Sequence, residues 1–353
     1  MSTVTGLSAR VLRLPLHRPW GPDVPRLHVI EVVLTTSDGE QGRGFGWTPT
    51  IGAGAVHALL TQEIAAWLVG RPAEPEIVWD GLWRHLHEAG SGGVTTIALA
   101  GVDLALWDLR GRRAGLGLVD LLGRRHESVE VYGSGVNRHY PLDELVAQAR
   151  RWVEAGHDVV KMKVGRPDLA EDVERVAAVR SVIGPARRPM ADANQRWDLP
   201  TARRAIAALA PYDLFWVEEP LPADATWAYA QLRRSVDVPI ALGENAHTIH
   251  RFRDLLDAGA CDVVQPNVVR VGGITPFLRI VALARTYGVG LAPHLLPELS
   301  GQLALTLPEP TLVEDVEGAS FAALGCLAEP SGVVIENARL TAATAPGLGL
   351  RFG

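Results

Sequence analysis

The chain has 353 residues, a formal net charge of −6, 21% charged and 47% hydrophobic residues, and two cysteines. That length accommodates one large barrel domain beside a smaller one, and the acidic balance argues against a nucleic-acid or acidic-membrane partner. Cys261 and Cys326 offer neither a disulfide framework nor a zinc cluster, and the opening stretch MSTVTGLSARVLRLPL lacks a continuous apolar core, so a cytoplasmic protein with no membrane partner is expected.

Residues 8–36 read as two β-branched strands, VLRLPL and HVIEVVLTT, joined by a loop around Trp20, Gly21 and Pro22. Ser37 to Glu40 is a hairpin turn and GRGFGWT a third strand. Helical patterns follow in GAVHALLTQEIAAWLVG and EIVWDGLWRHLHEAG, completing an α+β unit assigned to residues 1–125. Trp20 and Trp47 either sit on lids over a site elsewhere or pack in this unit's own core. Residues 95–123 give the strongest helical signal: Leu99, Val102, Leu106 and Leu109 keep the period, and glycines at 115, 117 and 123 punctuate its end. Its apolar character is nearly all-round, which predicts burial between two domains.

From VEVYGSG onward strand and helix alternate. Strands are expected near 129–134, 158–164, 188–192, 214–218, 238–242, 262–266, 288–292 and 312–316, with helices starting near Leu142, Leu169, Leu199, Ala225, Thr248, Thr275 and Leu299. No Gly-rich dinucleotide turn follows the first strand, so a barrel over 126–320 is preferred to an open doubly wound sheet. The segment 321–353 reads as a strand, a turn and a tail that return to the N-terminal unit and complete it.

Chemistry concentrates at the strand ends. Asp192, Glu218 and Glu244 follow one another at intervals of 26 residues, about one strand–helix unit. One such carboxylate is ordinarily a cap or an ion-pair partner. Three on successive strands would repel at a barrel mouth unless a cation lay between them. Their all-oxygen character suits Mg²⁺ or Mn²⁺ rather than zinc. Lys161 and Lys163 lie two apart on one apolar strand, so both point into the barrel. Each lowers the other's pKa, which makes one a credible general base. His294 ends the seventh strand, across the ring from Lys163.

Together these residues resemble the mandelate racemase group of the enolase superfamily (mandelate racemase/muconate lactonizing enzyme family). The motifs are VDLALWDLRGRRAGLGLVDLLG, the Lys-x-Lys strand, the three carboxylates, RVGGIT, the strand-seven His and the PGLGL tail. The resemblance implies a modified TIM barrel, (β/α)7β, with an N-terminal α+β capping domain completed by the C-terminal tail. It implies Asp192, Glu218 and Glu244 as Mg²⁺ ligands, and Lys163 as base on one substrate face, with Lys161 depressing its pKa. His294 is implied as acid or base on the other face. Asn194 matches a position near substrate or metal, Glu314 the acid that hydrogen-bonds an enolate oxygen, and Arg270 a basic residue beside the metal carboxylates. The common step is loss of the proton α to a carboxylate, giving an enediolate.

One position departs from the pattern. Where the group places an Asp beside the strand-seven His, this chain has Asn267, expected to orient the ring through its carbonyl without adding charge. A racemase needs a base on both faces, whereas a dehydratase needs one base and one acid. Dehydration of a sugar acid (aldonate or aldarate) to a 2-keto-3-deoxy acid is therefore favoured. The alternatives are a racemase, epimerase or cycloisomerase, and a barrel that only binds a ligand. Specificity is expected from loops 17–28 and 47–53, with His17, Trp20, His28 and Trp47 as candidates, and the resemblance implies a homo-oligomer.

Overall fold

The structure, a computed structural model, describes residues 2–21 and 23–353, so Pro22 of the expected first loop lies outside the described residues. The chain opens with an antiparallel sheet of β1 (Val4–Pro15), β2 (Arg26–Thr36) and β3 (Gln41–Thr48) in that spatial order. The turn after β2 is closed by Thr36 N–H donating to the Glu40 carbonyl at 3.0 Å. Helices α1 (Ala53–Ala58) and α2 (Ala65–Leu68) are joined by a π-helical stretch, Leu59–Ile64, and α3 (Pro75–Leu86) begins on a proline, whose missing N–H costs nothing there.

The long helix α4 (Val94–Ala114) is buried on nearly every side, and α5 (Leu118–Leu122) follows it. The sheet comes very close to α4. A Cβ at Gly44 would lie 2.3 Å from the Gly101 carbonyl oxygen, so only glycine fits on β3 there. On its other side α4 meets the second domain, as its apolar circumference predicts: Trp107 Nε1–H donates to Thr275 Oγ1 at 3.0 Å, and Trp79 Nε1–H of α3 to the Gly272 carbonyl at 3.0 Å.

The second domain alternates without exception: β4 (Val129–Ser134), α6 (Leu142–Glu154), β5 (Val159–Lys163), α7 (Leu169–Ile183), β6 (Arg188–Asp192), α8 (Leu199–Leu209), β7 (Val217–Glu218), α9 (Thr226–Arg233), β8 (Ile240–Leu242), α10 (Ile249–Asp257), β9 (Val263–Val264), α11 (Ile274–Thr286), β10 (Gly290–Leu291), α12 (Pro297–Ala304) and β11 (Val313–Val316). Neighbouring strands pair in parallel from β4 to β10, and β11 pairs with β4. The seam between β10 and β11 is bridged by the Thr311 hydroxyl, which donates to the Leu291 carbonyl. The ring is a (β/α)7β barrel. Several helix starts are set by side chains: Asp168, Asp198 and Thr248 each accept a backbone N–H from the first turn of α7, α8 and α10.

The C-terminal segment divides its attachment. Strands β12 (Val333–Glu336) and β13 (Arg339–Ala342) form a hairpin, and β13 pairs antiparallel with β4, not with the cap as the sequence suggested. The reason lies in the alternation of β13: Leu340 and Ala342 are buried while Arg339 and Thr341 are exposed, and the apolar pair joins Val129, Val131, Leu305 and Val313 beneath the barrel. The residues on either side of this hairpin reach the cap, beginning with Phe321, whose ring meets Phe45 edge-on at 5.3 Å. Leu348 N–H donates to Asp108 Oδ1 at 2.9 Å, and the Phe352 ring meets Phe45 edge-on at 5.5 Å. Among the described residues no helix is long and apolar enough to cross a membrane.

Candidate active site

The register of the parallel strands brings the acidic series together. Lys163 pairs with Asp192, and Asp192 with Glu218, at the C-terminal ends of β5, β6 and β7; Glu244 follows β8 by two residues. Asp192, Glu218 and Glu244 are all buried, and one oxygen of each lies within 4.8 Å of the others. The chain leaves these strands through costly backbone. Asn194, Glu219, Leu295 and Leu296 all have positive φ, and each comes one or two residues after Asp192, Glu218 or His294. A non-glycine side chain held there costs roughly 1–3 kcal/mol, a cost that persists mainly where function fixes the geometry.

The lysines supply the countercharge. Lys161 is fully buried, donating to Glu218 Oε1 at 2.5 Å and to Glu314 Oε1 at 2.8 Å. Its ammonium also lies 5.5 Å from the centre of the Tyr132 ring. Burial favours its neutral form, but Glu218 and Glu314 outweigh this and hold its pKa well above the ordinary lysine value. Lys163, nearer the mouth, is hydrogen-bonded to Asp192 Oδ2. Burial again favours the neutral amine, Asp192 opposes it, and the net shift is upward. The expectation that Lys161 lowers the pKa of Lys163 holds in sign, but in this arrangement the Asp192 charge outweighs it.

Glu314 accepts from Ser134 Oγ at 2.7 Å and Lys161 through one oxygen, and from Leu295 N–H at 3.2 Å through the other. Although burial alone would raise its pKa, the Lys161 ammonium beside it holds it below the ordinary carboxylate value.

His294 stands on the far side of the cluster, its Nε2 2.9 Å from Glu244 Oε2 and 3.7 Å from Glu314 Oε2. The approach to Glu244 is close but lacks hydrogen-bond alignment, leaving Oε2 of that carboxylate buried without a hydrogen-bond partner. An all-oxygen, buried donor set with an unsatisfied carboxylate oxygen at its centre fits a hard divalent cation. Asn267 lies behind the imidazole, its Nδ2 3.0 Å from His294 Nδ1. Its carbonyl oxygen is already taken by Val269 N–H and Arg270 N–H, both at 3.1 Å. The amide therefore presents its NH₂ group to the ring, not its carbonyl as the sequence suggested, because two backbone donors claim the oxygen first.

The comparisons with known proteins bear on this arrangement. The mandelate racemase/muconate lactonizing enzyme N-terminal domain matches residues 5–123, and the enolase C-terminal domain-like family matches residues 144–352. The chain belongs to the mandelate racemase/muconate lactonizing enzyme family. It is 38% identical over 306 residues to the 3,6-anhydro-α-L-galactonate cycloisomerase of Streptomyces coelicolor, covering 86% of this chain and 84% of the relative. It is 38% identical over 287 residues to the L-talarate/galactarate dehydratase of Salmonella typhimurium, covering 80% and 72%. The crystal structure of L-talarate dehydratase from Polaromonas sp. JS666, complexed with Mg and L-glucarate, aligns with a TM-score of 0.89 at 37% identity over 100% of this chain and 96% of that one. This member of the family is an enolase-superfamily enzyme of the lyase or isomerase type, and Mg²⁺ is its cofactor.

In this family member the remaining candidates fall at different distances from the cluster. Arg270 NH1 donates to the Glu244 carbonyl at 3.1 Å and lies 3.9 Å from Glu244 Oε1, beside the carboxylates as the resemblance implied. Asn194 supports Asp192 through its backbone, N–H to Oδ1 at 2.8 Å, while its side chain is exposed. Trp47 combines both readings offered for it: it is buried in the cap, packs 6.4 Å from Trp20, and has the Arg270 guanidinium 6.0 Å from its ring centre. His17 bonds to the Ala323 carbonyl at 3.2 Å, and Arg18 lies over the Tyr140 ring, so that loop docks on the barrel rim. His28 sits on β2 opposite Thr48, where burial and then Arg26 and Arg13 lower its pKa.

Three further members of the cluster carried no assigned role in the sequence reading. Gln265 Nε2 donates to Glu218 Oε2 at 2.7 Å, and Asn245 Nδ2 donates to both oxygens of Glu219 at 3.0 and 2.8 Å. Glu219 and Asn245 were visible as the second residues of the strand-end pairs EE and EN. Gln265 precedes Asn267 by two, so it shares that residue's side of the strand end.

Proposed function

We propose that this enzyme removes the proton α to the carboxylate of a sugar acid and expels the oxygen substituent on the β-carbon. Dehydration of an aldonate or aldarate to a 2-keto-3-deoxy acid is the principal reaction. Asp192, Glu218 and Glu244 hold Mg²⁺, which supplies Lewis-acid stabilisation of the charge that builds on the substrate carboxylate. With the Asp192 carboxylate engaged by Mg²⁺, its charge would no longer hold the Lys163 ammonium, and Lys163, as the free amine, takes the α-proton. The electron pair of that C–H bond forms the new C=C bond as the β C–O bond breaks, the departing oxygen takes the proton now carried by the Lys163 ammonium and leaves as water, and the enol tautomerises to the ketone. His294 faces the substrate from the other side as a donor. Lys161 holds the buried carboxylates in place from below, and Asn194 and Arg270 line the mouth.

The observation that carries this reading is the pair Asn267–His294. An uncharged amide that donates to the imidazole cannot make it a strong base, so proton abstraction falls to Lys163 alone and two-base racemisation is disfavoured. The relatives named as dehydratases of talarate and galactarate support a sugar-acid substrate. The experiment is a panel of aldonates and aldarates assayed with Mg²⁺ for 2-keto product. Deuterium wash-in at the α-carbon without any keto product would overturn dehydration in favour of epimerisation.

A second reading has its own support. The Streptomyces coelicolor relative is named a cycloisomerase of a 3,6-anhydro acid, in which the ring oxygen sits on the β-carbon. The same abstraction by Lys163 would open that ring by breaking the C3–O bond, with the proton passing to the ring oxygen. The buried, unpaired Cys261 and Cys326 fit a cytoplasmic setting. The homo-oligomer implied by the resemblance is tested by light scattering.

A further inference from the structure

We propose that Asn267 is a positioning residue that fixes the tautomer of His294, placing the ring proton on Nε2 and so making the imidazole a hydrogen-bond donor that cannot accept the α-proton. This rests on the reading of His294 as a substrate-facing group, and it adds what that reading lacks: which nitrogen carries the proton, and why.

The argument begins with the amide. The N and O ends of an Asn are told apart by their partners. Here the oxygen receives two backbone N–H groups, from Val269 and Arg270, both at 3.1 Å, so the other end is the NH₂. That NH₂ lies 3.0 Å from His294 Nδ1. An amide NH₂ can only donate, so Nδ1 must offer its lone pair. A neutral imidazole with a lone pair on Nδ1 carries its proton on Nε2.

Turning the amide over would present the carbonyl to the ring. It would also set the NH₂ against two backbone N–H groups at a residue with no solvent exposure, leaving both of those donors without an acceptor. A protonated ring would carry N–H at both positions and face the NH₂ donor-to-donor. The backbone adds a further constraint, since His294 N–H donates to the Pro266 carbonyl at 3.2 Å, tying the histidine strand end to the segment that carries Asn267.

An Asp in place of Asn267 would reverse the relation. Its carboxylate would still take the two backbone donors through one oxygen, and its second oxygen would accept from Nδ1–H. Nε2 would then be free to take a proton. A single amide in place of a carboxylate thus decides whether the second face of the site holds a base.

The test reads the ring directly. Histidine-ring ¹⁵N-labelled enzyme, with Mg²⁺ present, is studied by long-range ¹H–¹⁵N NMR, and His294 is assigned by its loss in His294→Gln. The expected result is a protonated Nε2 and an unprotonated Nδ1. A proton on Nδ1, or on both nitrogens near pH 8, would overturn the proposal whatever the substrate proves to be, because no substrate is needed for the measurement. Conversely, a failed sugar-acid screen would leave the tautomer result standing. Asn267→Asp is expected to move the proton to Nδ1 and, with a turned-over acid in D2O, to add deuterium exchange on the face that the wild-type enzyme leaves untouched. An unchanged ring pattern in a folded Asn267→Asp enzyme would also overturn it. If that variant does not fold, the wild-type spectrum alone decides.

Discussion

Asp103 of the cap helix and Thr275 at the start of α11 share two hydrogen bonds across the domain junction: Thr275 N–H reaches Oδ2 at 3.0 Å and Thr275 Oγ1 reaches Oδ1 at 2.6 Å. The junction lies only eight residues beyond Asn267 in the chain. The cap is thus fastened to the barrel close to the strand end that positions His294. Thr275 and the two glycines before it belong to the RVGGIT stretch, and Asp103 and Trp107 belong to the VDLALWD helix. Two motifs that mark the family in sequence therefore meet as one joint.

Gly273 leaves no room for a side chain in that joint. Its φ is +109°, and a Cβ there would lie 2.3 Å from Asp103 Oδ2. Gly273→Ala should destabilise the protein by about 3 kcal/mol or more, through backbone strain and the displaced carboxylate together. Urea midpoints and the rate of proteolysis between cap and barrel are the readouts. An unchanged midpoint would contradict the close packing.

Asp103 should also give the junction a pH dependence. Burial raises its pKa to about 7, against the Thr275 hydrogen bonds that lower it. In the unfolded chain an Asp titrates near 3.9. Between those values the folded state keeps a proton that the unfolded state has lost. The contribution of this carboxyl is therefore largest below about pH 4, falls as pH rises to about 7, and is flat above. Asp103→Asn cannot titrate. The stability difference between wild type and Asp103→Asn should shrink from pH 5 to pH 8, and a constant difference would show that Asp103 is already ionised at pH 5.

Mg²⁺ should stabilise the fold as well as serve the chemistry. Three buried carboxylates repel one another, and a cation that binds only the folded state raises stability by about 2.7 kcal/mol at a hundred times its Kd. The melting temperature should rise with Mg²⁺ and return on chelation. Asp192→Asn should blunt the response, and a full response in that variant would remove Asp192 from the ligand set.

Gln265 is expected to matter for the metal although it is not itself a ligand. It fixes Glu218 Oε2 through a 2.7 Å bond at a fully buried position. Gln265→Leu should weaken Mg²⁺ binding by roughly 10–100-fold, the usual effect of losing a group that orients a ligand. Isothermal titration gives the affinity. Unchanged binding would mean that Trp216 Nε1–H, 3.3 Å from the same oxygen, suffices.

Much of this was legible in the sequence because strand and helix periods repeat with little interruption. The spacing of Asp192, Glu218 and Glu244 is the spacing of a strand–helix unit, and the Lys161–Lys163 alternation is a strand with one face inward. What was not legible depended on partners distant in the chain. Nothing local says that the Asn267 carbonyl is taken by Val269 and Arg270, because hydrogen-bond direction is set by the turn that follows the strand. Nothing local shows that Asp192 outweighs Lys161 at Lys163, because that depends on which charge lies nearer. The β12–β13 hairpin was read as part of the cap because its alternating pattern fits any half-buried edge, and the apolar floor of the barrel offered the better partner at Val129.

The most direct check of the central claim follows the α-proton of a turned-over sugar acid by ¹H NMR in D2O, with Mg²⁺, for wild type and Lys163→Ala side by side. Wild-type enzyme should form a 2-keto-3-deoxy acid, and Lys163→Ala should lose at least 10²-fold in rate, the usual worth of a positioned base, together with exchange on the lysine face. Undiminished exchange and product formation by Lys163→Ala would contradict the assignment of Lys163 as the base.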